Sequence, residues 1–296
     1  MDRISVLRAF TRLVERGSFT AVADELRVKQ STVSKWLRGL EDELGVQLVD
    51  RTTRAVHITD AGRRFYDKAL TVLAAYDDAL EVLAPSDDVL RGRLRVSVPE
   101  VFGRLYVVPQ VTRFVRRHKE LELDLTFADQ YVSLVEQGFD VAIRVGRAVD
   151  STLQAHPLAS TERVLVASPG YLKQHGAPSS PKALREHACL THSGALGDAW
   201  SFLRGGRTQR VSVRGRVSTN NSEAALALAR SGLGLCLLAT WLVDADLRSG
   251  RLVPVLEAYE APPAPIRALT PPGRRVPTRV RAFIEHLREG FAAALP

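Results

Sequence analysis

At 296 residues, 45% hydrophobic and 25% charged, the chain suits about two globular domains, which excludes a disordered or fibrous protein. Two cysteines exclude a disulfide framework, and the longest apolar run, Gly232 to Val243, is too short to cross a bilayer. Asp2, Arg3, Arg8, Arg12, Glu15 and Arg16 interrupt any signal-peptide core, so a soluble cytoplasmic protein is expected.

The net charge of +8 suggests an anionic partner, nucleic acid first, but its placement misleads. Residues 1–60 hold ten Lys/Arg against nine Asp/Glu, and the excess falls among the arginines of 200–217 and 264–296. Those later clusters read as solvated surface.

In chain order, Leu7, Phe10, Leu13 and Val14 form the stripe of an amphipathic helix that stops at Gly17. Ser18 caps a second helix burying Phe19, Val22, Ala23 and Leu26, and a turn at 27–29 leads into a third over 30–44. The third helix carries Val33, Trp36, Leu37, Leu40 and Leu44 on its apolar side and ends at Gly45. Two β-prone stretches, 47–49 and 55–58, flank a basic loop with Arg51 and Arg54.

A long helix over 61–83 follows, about 36 Å of rod at roughly 1.5 Å per residue. Phe65, Leu73, Tyr76 and Leu80 lie on the stripe expected to need a partner. Pro85-Ser86-Asp87-Asp88 marks a linker, with Gly92 close behind. Beyond it strands and helices alternate: a strand over 94–98, a helix over 102–117, a strand over 121–127, a helical stretch near 132–137 and an apolar run over 141–145. A second set runs from 164 through 190, 211–213, a helix over 223–231 and 235–238, and a Pro-rich stretch at 262–272 precedes a last helix over 278–295. The alternation predicts an α/β domain with a largely parallel sheet.

Three short helices with a tight turn make a helix-turn-helix whose third helix can enter the DNA major groove. With Val33, Leu37 and Leu40 inward, Gln30, Ser31, Thr32, Ser34, Lys35 and Arg38 are the candidate DNA contacts. Gln suits adenine, Lys suits guanine, and hydroxyls reach bases or phosphates. Arg51 and Arg54 then form a wing gripping the backbone or minor groove. The competing reading is a small helical domain with a solvated face.

Residues 1–66, with "RAFTRLVERGSFTAVADELRVKQSTVSKWLRGLEDELGVQLVDRTTRAVHITDAGRRFY", resemble the winged helix-turn-helix of the LysR-type transcriptional regulators. "LRGRLRVSVPEVFGRLYVVP", "FDVAIRVGR", "VLVASPGYL", "NNSEAALALARSGLGLCLLATWLV" and "GRLVPVL" are similar to that family's effector-binding domain. The resemblance implies a winged domain over 1–60, a linker and dimerisation helix over 61–84 and a hinge over 85–92. It further implies two α/β subdomains of the periplasmic-binding-protein type, 93–163 with 266–296 and 164–265. The implied partners are double-stranded promoter DNA with a pseudo-palindromic site, a small-molecule effector, and a second copy in a homodimer or homotetramer; no membrane is involved. The implied effector pocket draws on Glu100, Val101, Gln130, Arg144, His192, Ser193, Thr219, Asn220 and Asn221, and Glu100 would disfavour a strongly anionic ligand.

This chain departs from the family's usual pattern at Lys29, which cannot cap the third helix, at Trp36 and at Gly39. His187, Cys189 and His192 lack an obvious fourth metal ligand, and Cys236 lies in an apolar run where an inert thiol is the default. No catalytic signature is present, so no cofactor, metal or enzymatic activity is expected. The rival classes are an enzyme or solute-binding protein with an accessory DNA module, and an architectural DNA binder.

Overall fold

The computed structural model describes residues 2–52, 55–83, 89–130, 134, 137–146, 152–192, 199–272 and 276–295. The expected hinge around 85–88, most of the 132–137 helix, Arg54 and Ser193 lie outside the described residues, as does the side chain of Arg51. Two compact units emerge, one of residues 1–93 with 133–138 and the other of 94–132 with 139–296.

In the first unit, Asp2 caps α1 (Arg3–Arg16) by accepting from the amides of Ile4 and Ser5 at 3.1 and 3.2 Å. Ser18 caps α2 (Phe19–Glu25) through the Ala21 amide at 3.3 Å. Arg27 takes a left-handed φ of 55° in the turn before α3 (Gln30–Leu44), which ends at Gly45 with φ 65°. Lys29 makes no side-chain cap, as its chemistry requires. Phe10, Leu13, Val22, Val33, Leu37 and Leu48 form the core, with Leu7, Val14 and Trp36 packed half-buried against it. Leu44 departs from expectation: it is 41% exposed, because the helix turns it past the edge of that core.

The wing also lies later than its β-prone residues suggest, with β1 (Val49–Thr52) pairing antiparallel to β2 (Ala55–Ile58). The Glu41 carboxylate accepts from the amides of Leu48 and Val49 at 2.9 and 3.0 Å, and Thr59 Oγ1 donates to the Gln47 carbonyl at 2.8 Å. Those side chains hold the stretch before Val49 out of the ladder. From there α4 (Asp60–Leu83) runs 24 residues. Leu70 and Leu73 are buried and Phe65 packs 5.4 Å from Phe10, whereas Val72, Tyr76 and Leu80, spaced by four, are 49%, 41% and 49% exposed.

The second unit begins with β3 (Gly92–Val98), whose first residues belong to the boundary, and α5 (Glu100–Phe102). The helix expected over 102–117 starts earlier and is interrupted by a π turn at Gly103–Val107 before α6 (Val108–Arg117). A Cβ at Gly103 would come within 2.6 Å of Val98 Cγ2, so glycine lets this turn press against β3. Then follow β4 (Leu121–Phe127), β5 (Val141–Val145), the 14-residue β6 (Gln154–Ala167) and α7 (Pro169–His175). Next come β7 (Thr191–His192), the hairpin β8 (Ala199–Arg204) and β9 (Arg207–Ser212), β10 (Ser218–Thr219) and α8 (Ser222–Arg230). The chain closes through β11 (Cys236–Ala239), α9 (Thr240–Ser249), β12 (Val253–Pro254), β13 (Ala261–Thr270) and α10 (Thr278–Ala294).

The main sheet has the order β11-β6-β13-β5-β3-β4, with β12 also on β6. It is mixed rather than largely parallel: β3 and β5 are parallel, but β13 runs antiparallel to both β5 and β6, and β11 antiparallel to β6. The Pro-rich stretch is mostly strand β13. Pro262 and Pro263 fall where the register shifts between Ala261 and Ala264, so the ladder needs no regular donor from them, while Pro265 is paired in register opposite Ser160. The exposed arginines at 204, 207, 210, 214 and 216 lie on or just after the β8–β9 hairpin.

One polar cluster anchors α8 to α9. Asp246 is fully buried and accepts from Arg230 Nε and Nη2 at 2.7 and 2.5 Å, with Arg251 Nε at 2.9 Å. The Arg230 hydrogen bonds hold the Asp246 carboxyl below its ordinary pKa, burial opposing them and the Arg251 charge assisting. We expect Asp246→Asn to lose about 1.5–3 kcal/mol of stability at pH 7. A depressed folded-state pKa gives stabilisation that is present above the unfolded value and lost as pH falls through the folded one. Urea unfolding of both proteins should therefore show a gap that narrows on acidification; a pH-independent gap would refute the charge origin.

Candidate functional site

The outer face of α3 is assembled by the three-helix core: with Val33, Leu37 and Leu40 inward, Gln30, Ser31, Lys35 and Arg38 are exposed and Thr32 and Ser34 half-buried. Among the described residues, none engages the side chains of Gln30, Ser31, Lys35 or Arg38. The ion pairs of this unit lie elsewhere, linking Arg12 to Glu15 and Glu25, Arg16 to Glu25, and Arg93 to Glu15. Burial raises the Glu15 pKa, but its contacts with Arg93, Tyr66 and Arg12 outweigh that and leave it lowered. A 15-residue helix thus presents two cations, an amide and a hydroxyl together. That set can donate to base acceptors and phosphates.

The second unit holds a cavity of about 120 Å³ where strand ends and helix N-termini meet. Val101, Arg144, His192 and Asn220 line it. Glu100, Gln130, Thr219 and Asn221 do not. Arg144 is 6% exposed, and its guanidinium donates to the carbonyls of Ile143 at 2.7 Å and Gln130 at 3.3 Å and to Ser97 Oγ at 2.9 Å. Gln130 therefore contributes backbone, as an Arg144 acceptor.

At the rim, Asn221 caps α8 by accepting from the Ala224 amide at 2.9 Å, and its own amide donates to Thr219 Oγ1 at 3.1 Å. Its Nδ2 donates to Glu100 Oε2 at 2.7 Å and Asp129 Oδ2 at 3.1 Å, while the Glu100 amide donates to Asp129 Oδ1 at 3.0 Å. Arg104 pairs with Glu223 alongside. The start of α5 and the start of α8 are thus tied together. Glu100 is held at this rim by Asn221, so Asp129, not Glu100, supplies the carboxylate among the lining residues.

Lining residues not anticipated include Arg163, Trp241, Phe102 and Asp129. Trp241 is the second residue of α9, directly after β11, where the rule that ligands sit beyond strand carboxyl ends would have found it. Arg163 lies inside β6, where no local signal marks it. Its Nε and Nη2 both donate to the Pro262 carbonyl, at 2.9 and 2.7 Å.

The other reactive side chains are spoken for. His187 Nδ1 lies 3.2 Å from the Tyr171 hydroxyl, Cys189 is in the core and His192 is in the cavity, so the three share no centre. Burial pushes the thiols of Cys189 and Cys236 up to about 12, which keeps both protonated and unreactive. Among the described residues, no helix is long and apolar enough to cross a membrane.

Residues 4–63 match the family model for the bacterial regulatory helix-turn-helix protein, lysR family, and residues 87–292 match the LysR substrate binding domain. The transcriptional regulator PtxR of Pseudomonas aeruginosa is 36% identical over 284 residues, covering 96% of this chain and 91% of that protein. DmlR of Escherichia coli is 34% identical, covering 98% and 95%. Among solved structures, the LysR-type regulator CrgA from Neisseria meningitidis has a TM-score of 0.57 at 30% identity, covering 96% and 97%. The full-length Vibrio cholerae virulence activator AphB has a TM-score of 0.57 at 28% identity, covering 97% and 98%.

Proposed function

The chain belongs to the LysR family of bacterial transcriptional regulators, DNA-binding proteins governed by a small-molecule effector, and on that premise we propose which residues do the work. The carrying observation is the outer face of α3, where, among the described residues, none forms a hydrogen bond or ion pair with the side chains of Gln30, Ser31, Lys35 or Arg38. Gln30 and Lys35 read base edges, Ser31, Thr32 and Ser34 reach bases or phosphate, Arg38 neutralises backbone, and Arg51 and Arg54 on the wing grip phosphate or the minor groove. The uncapped start of α3 beside Lys29 offers amides and a cation to one phosphate. Acting on promoters places the protein in the cytoplasm.

The winged domain spans 1–60, α4 is the linker and pairing helix over 61–84, and 85–92 is the hinge. Tyr76 and Leu80, with Val72, form the contact to a second copy, while Phe65 and Leu73 brace the helix against its own unit. In the effector-binding domain, subdomain I comprises 93–163 with 266–296 and subdomain II comprises 164–265. Strands β6 and β13, paired antiparallel, each pass from one of these subdomains into the other. Val101, Arg144, His192 and Asn220 face the effector; Ser193 stands next to His192 in sequence; and Glu100, Gln130, Thr219 and Asn221 set the rim.

Filter-binding across a salt series tests the DNA assignment. Gln30→Ala should relax discrimination at one base pair per half-site by about 1–3 kcal/mol while keeping the salt slope. Arg51→Ala should weaken all sequences alike and reduce the slope by about one counterion per site. A Gln30→Ala protein with unchanged affinity and unchanged site preference would remove α3 from the reading role.

A further inference from the structure

The helix-turn-helix is nearly neutral: residues 1–60 hold ten Lys/Arg against nine Asp/Glu, in a chain of net charge +8. Affinity for duplex DNA comes largely from cations set against phosphates, so the positive charge carried by the second unit needs its own account. Residues 200–217 contribute five arginines to it and no acid. None of the five lines the cavity.

The β8–β9 hairpin presents these side chains rather than pairing them. Gly205 and Gly206, at φ 55° and 75°, form a two-residue turn that sets Arg204 directly opposite Arg207. Like charges so placed destabilise a ladder. Arg204 is accommodated by Tyr259, with its guanidinium carbon 4.9 Å from the ring centroid and Nη1 3.1 Å from the hydroxyl. Farther along, Val211 and Val213 are buried while Arg210, Ser212 and Arg214 are exposed, so the alternation turns both cations outward. Among the described residues, no side chain is hydrogen-bonded or ion-paired to Arg207, Arg210, Arg214 or Arg216. Glu260 exchanges backbone hydrogen bonds with Leu203 at 2.7 and 2.9 Å, yet it makes no ion pair with them.

The backbone beneath the cations is fixed. Trp200, Phe202 and Val211 anchor the hairpin in a core that includes Cys189. The Cys189 amide donates to the Arg214 carbonyl at 3.0 Å, and the Thr191 amide donates to the Val217 carbonyl at 3.3 Å. A Cβ at Gly215 would lie 1.7 Å from the Cys189 carbonyl oxygen, so only glycine lets the chain between Arg214 and Arg216 press onto that core. Exposed guanidiniums on a pre-organised backbone bind with little further ordering of the chain.

The chemistry suits a repeated anion. Guanidiniums grip phosphate through two parallel hydrogen bonds, and the hydroxyls of Thr208 and Ser212 stand among them as further donors. Arg210, Ser212 and Arg214 recur at every second residue, roughly 7 Å apart in an extended chain, so they form a row and do not converge on one small ligand. We propose that the β8–β9 hairpin, with Arg214 and Arg216 after it, is a second DNA contact, gripping the phosphates of duplex outside the sequence that α3 reads and adding affinity without sequence preference. This rests on the regulator reading above and adds a second surface to it.

Filter binding of the full-length protein tests this on a pseudo-palindromic duplex selected from a random pool, bare or with about 25 bp of unrelated sequence on each side. The flanks should tighten wild-type binding about tenfold at low salt and steepen the salt dependence by about two to three counterions. The triple variant Arg207→Ala, Arg210→Ala, Arg214→Ala should lose that gain, hold its affinity for the bare duplex within about twofold, and melt as the wild type does, since all three side chains are exposed. Arg113→Ala, Arg116→Ala, Arg117→Ala on α6 removes the same charge from other exposed positions and should keep the gain. The proposal is overturned if flanks add nothing to wild-type binding, if the hairpin variant keeps the gain, or if the α6 variant loses it equally. A hairpin variant that binds both duplexes normally but fails to regulate transcription by purified polymerase also overturns it, assigning the row to a protein partner. Tight specific binding to the bare duplex without a flank effect overturns the hairpin contact alone. Absence of specific binding to any short duplex overturns the regulator reading, and the same variants on an unrelated duplex of about 80 bp then still report the hairpin through the salt slope.

Discussion

Leu80→Glu is expected to halve the mass of the assembly in solution and to reduce affinity for a two-half-site DNA at least 100-fold. Val72, Tyr76 and Leu80 make a row on one side of α4, each more than 40% exposed, at the four-residue spacing that brings side chains together on a helix. Pairing this row with its copy removes it from water, and a carboxylate within that contact would be buried against apolar side chains. The DNA effect follows from linkage: two joined reading heads gain about 10²–10⁴ over one by effective concentration, and all of that is lost with the pair. Leu73→Glu should behave differently, because Leu73 is buried within the protomer and its substitution lowers the melting temperature directly. Sedimentation equilibrium at micromolar concentration checks both. An unchanged mass for Leu80→Glu would show that another surface holds the copies together.

Gly62→Ala should cost the first unit roughly 3 kcal/mol or more and abolish DNA binding while the second unit keeps its own unfolding transition. Gly62 sits in the first turn of α4, where the helix crosses the chain entering the wing. A Cβ there would lie 2.1 Å from the Leu48 carbonyl oxygen and 2.9 Å from Ile58 Cγ2. The oxygen is backbone and cannot rotate away, since Leu48 O also accepts from the Thr59 amide at 3.1 Å and the Leu48 amide is held by Glu41. Thr59 Oγ1 in turn accepts from the Gly62 amide at 3.0 Å, so displacement would break the cap of α4 as well. Calorimetry should resolve a first transition moved to lower temperature. A wild-type melting profile would mean the close approach is relieved at little cost.

The helices of the first unit were legible because each carries its own punctuation. Ser18, Gly17 and Gly45 stop and start elements through local hydrogen bonds and left-handed φ, which depend on near neighbours alone. The wing was misplaced by two residues because the Glu41 carboxylate, seven and eight positions away in sequence, captures the amides of Leu48 and Val49. The π turn at Gly103–Val107 has no periodic signature either; it is set by contact with Val98. Strand β13 was concealed by its prolines, of which Pro262 and Pro263 are accommodated by a register shift.

The cavity shows the same division. Arg144 and His192 lie at the C-terminal ends of β5 and β7 and Asn220 follows β10, and the resemblance to the family pointed to them. Arg163 and Phe102 enter through the packing of β6 and α5, which no local pattern encodes. Glu100 lies at the rim of the cavity, and its side chain is held there by Asn221, 121 positions on. Long-range partners, rather than residue type, determine which polar side chains line the cavity and which close its rim.

The central claim is that this protein reads DNA sequence through α3 as a two-fold assembly. Selection of bound duplexes from a random pool by the purified full-length protein, at a fixed salt concentration, tests it most directly. The account expects enrichment of a pseudo-palindrome whose half-sites lie about one helical turn, or a multiple of it, apart, with the consensus altered at one position per half-site by Gln30→Ala. A pool that remains random, or a consensus that Gln30→Ala and Lys35→Ala both leave untouched, would contradict it.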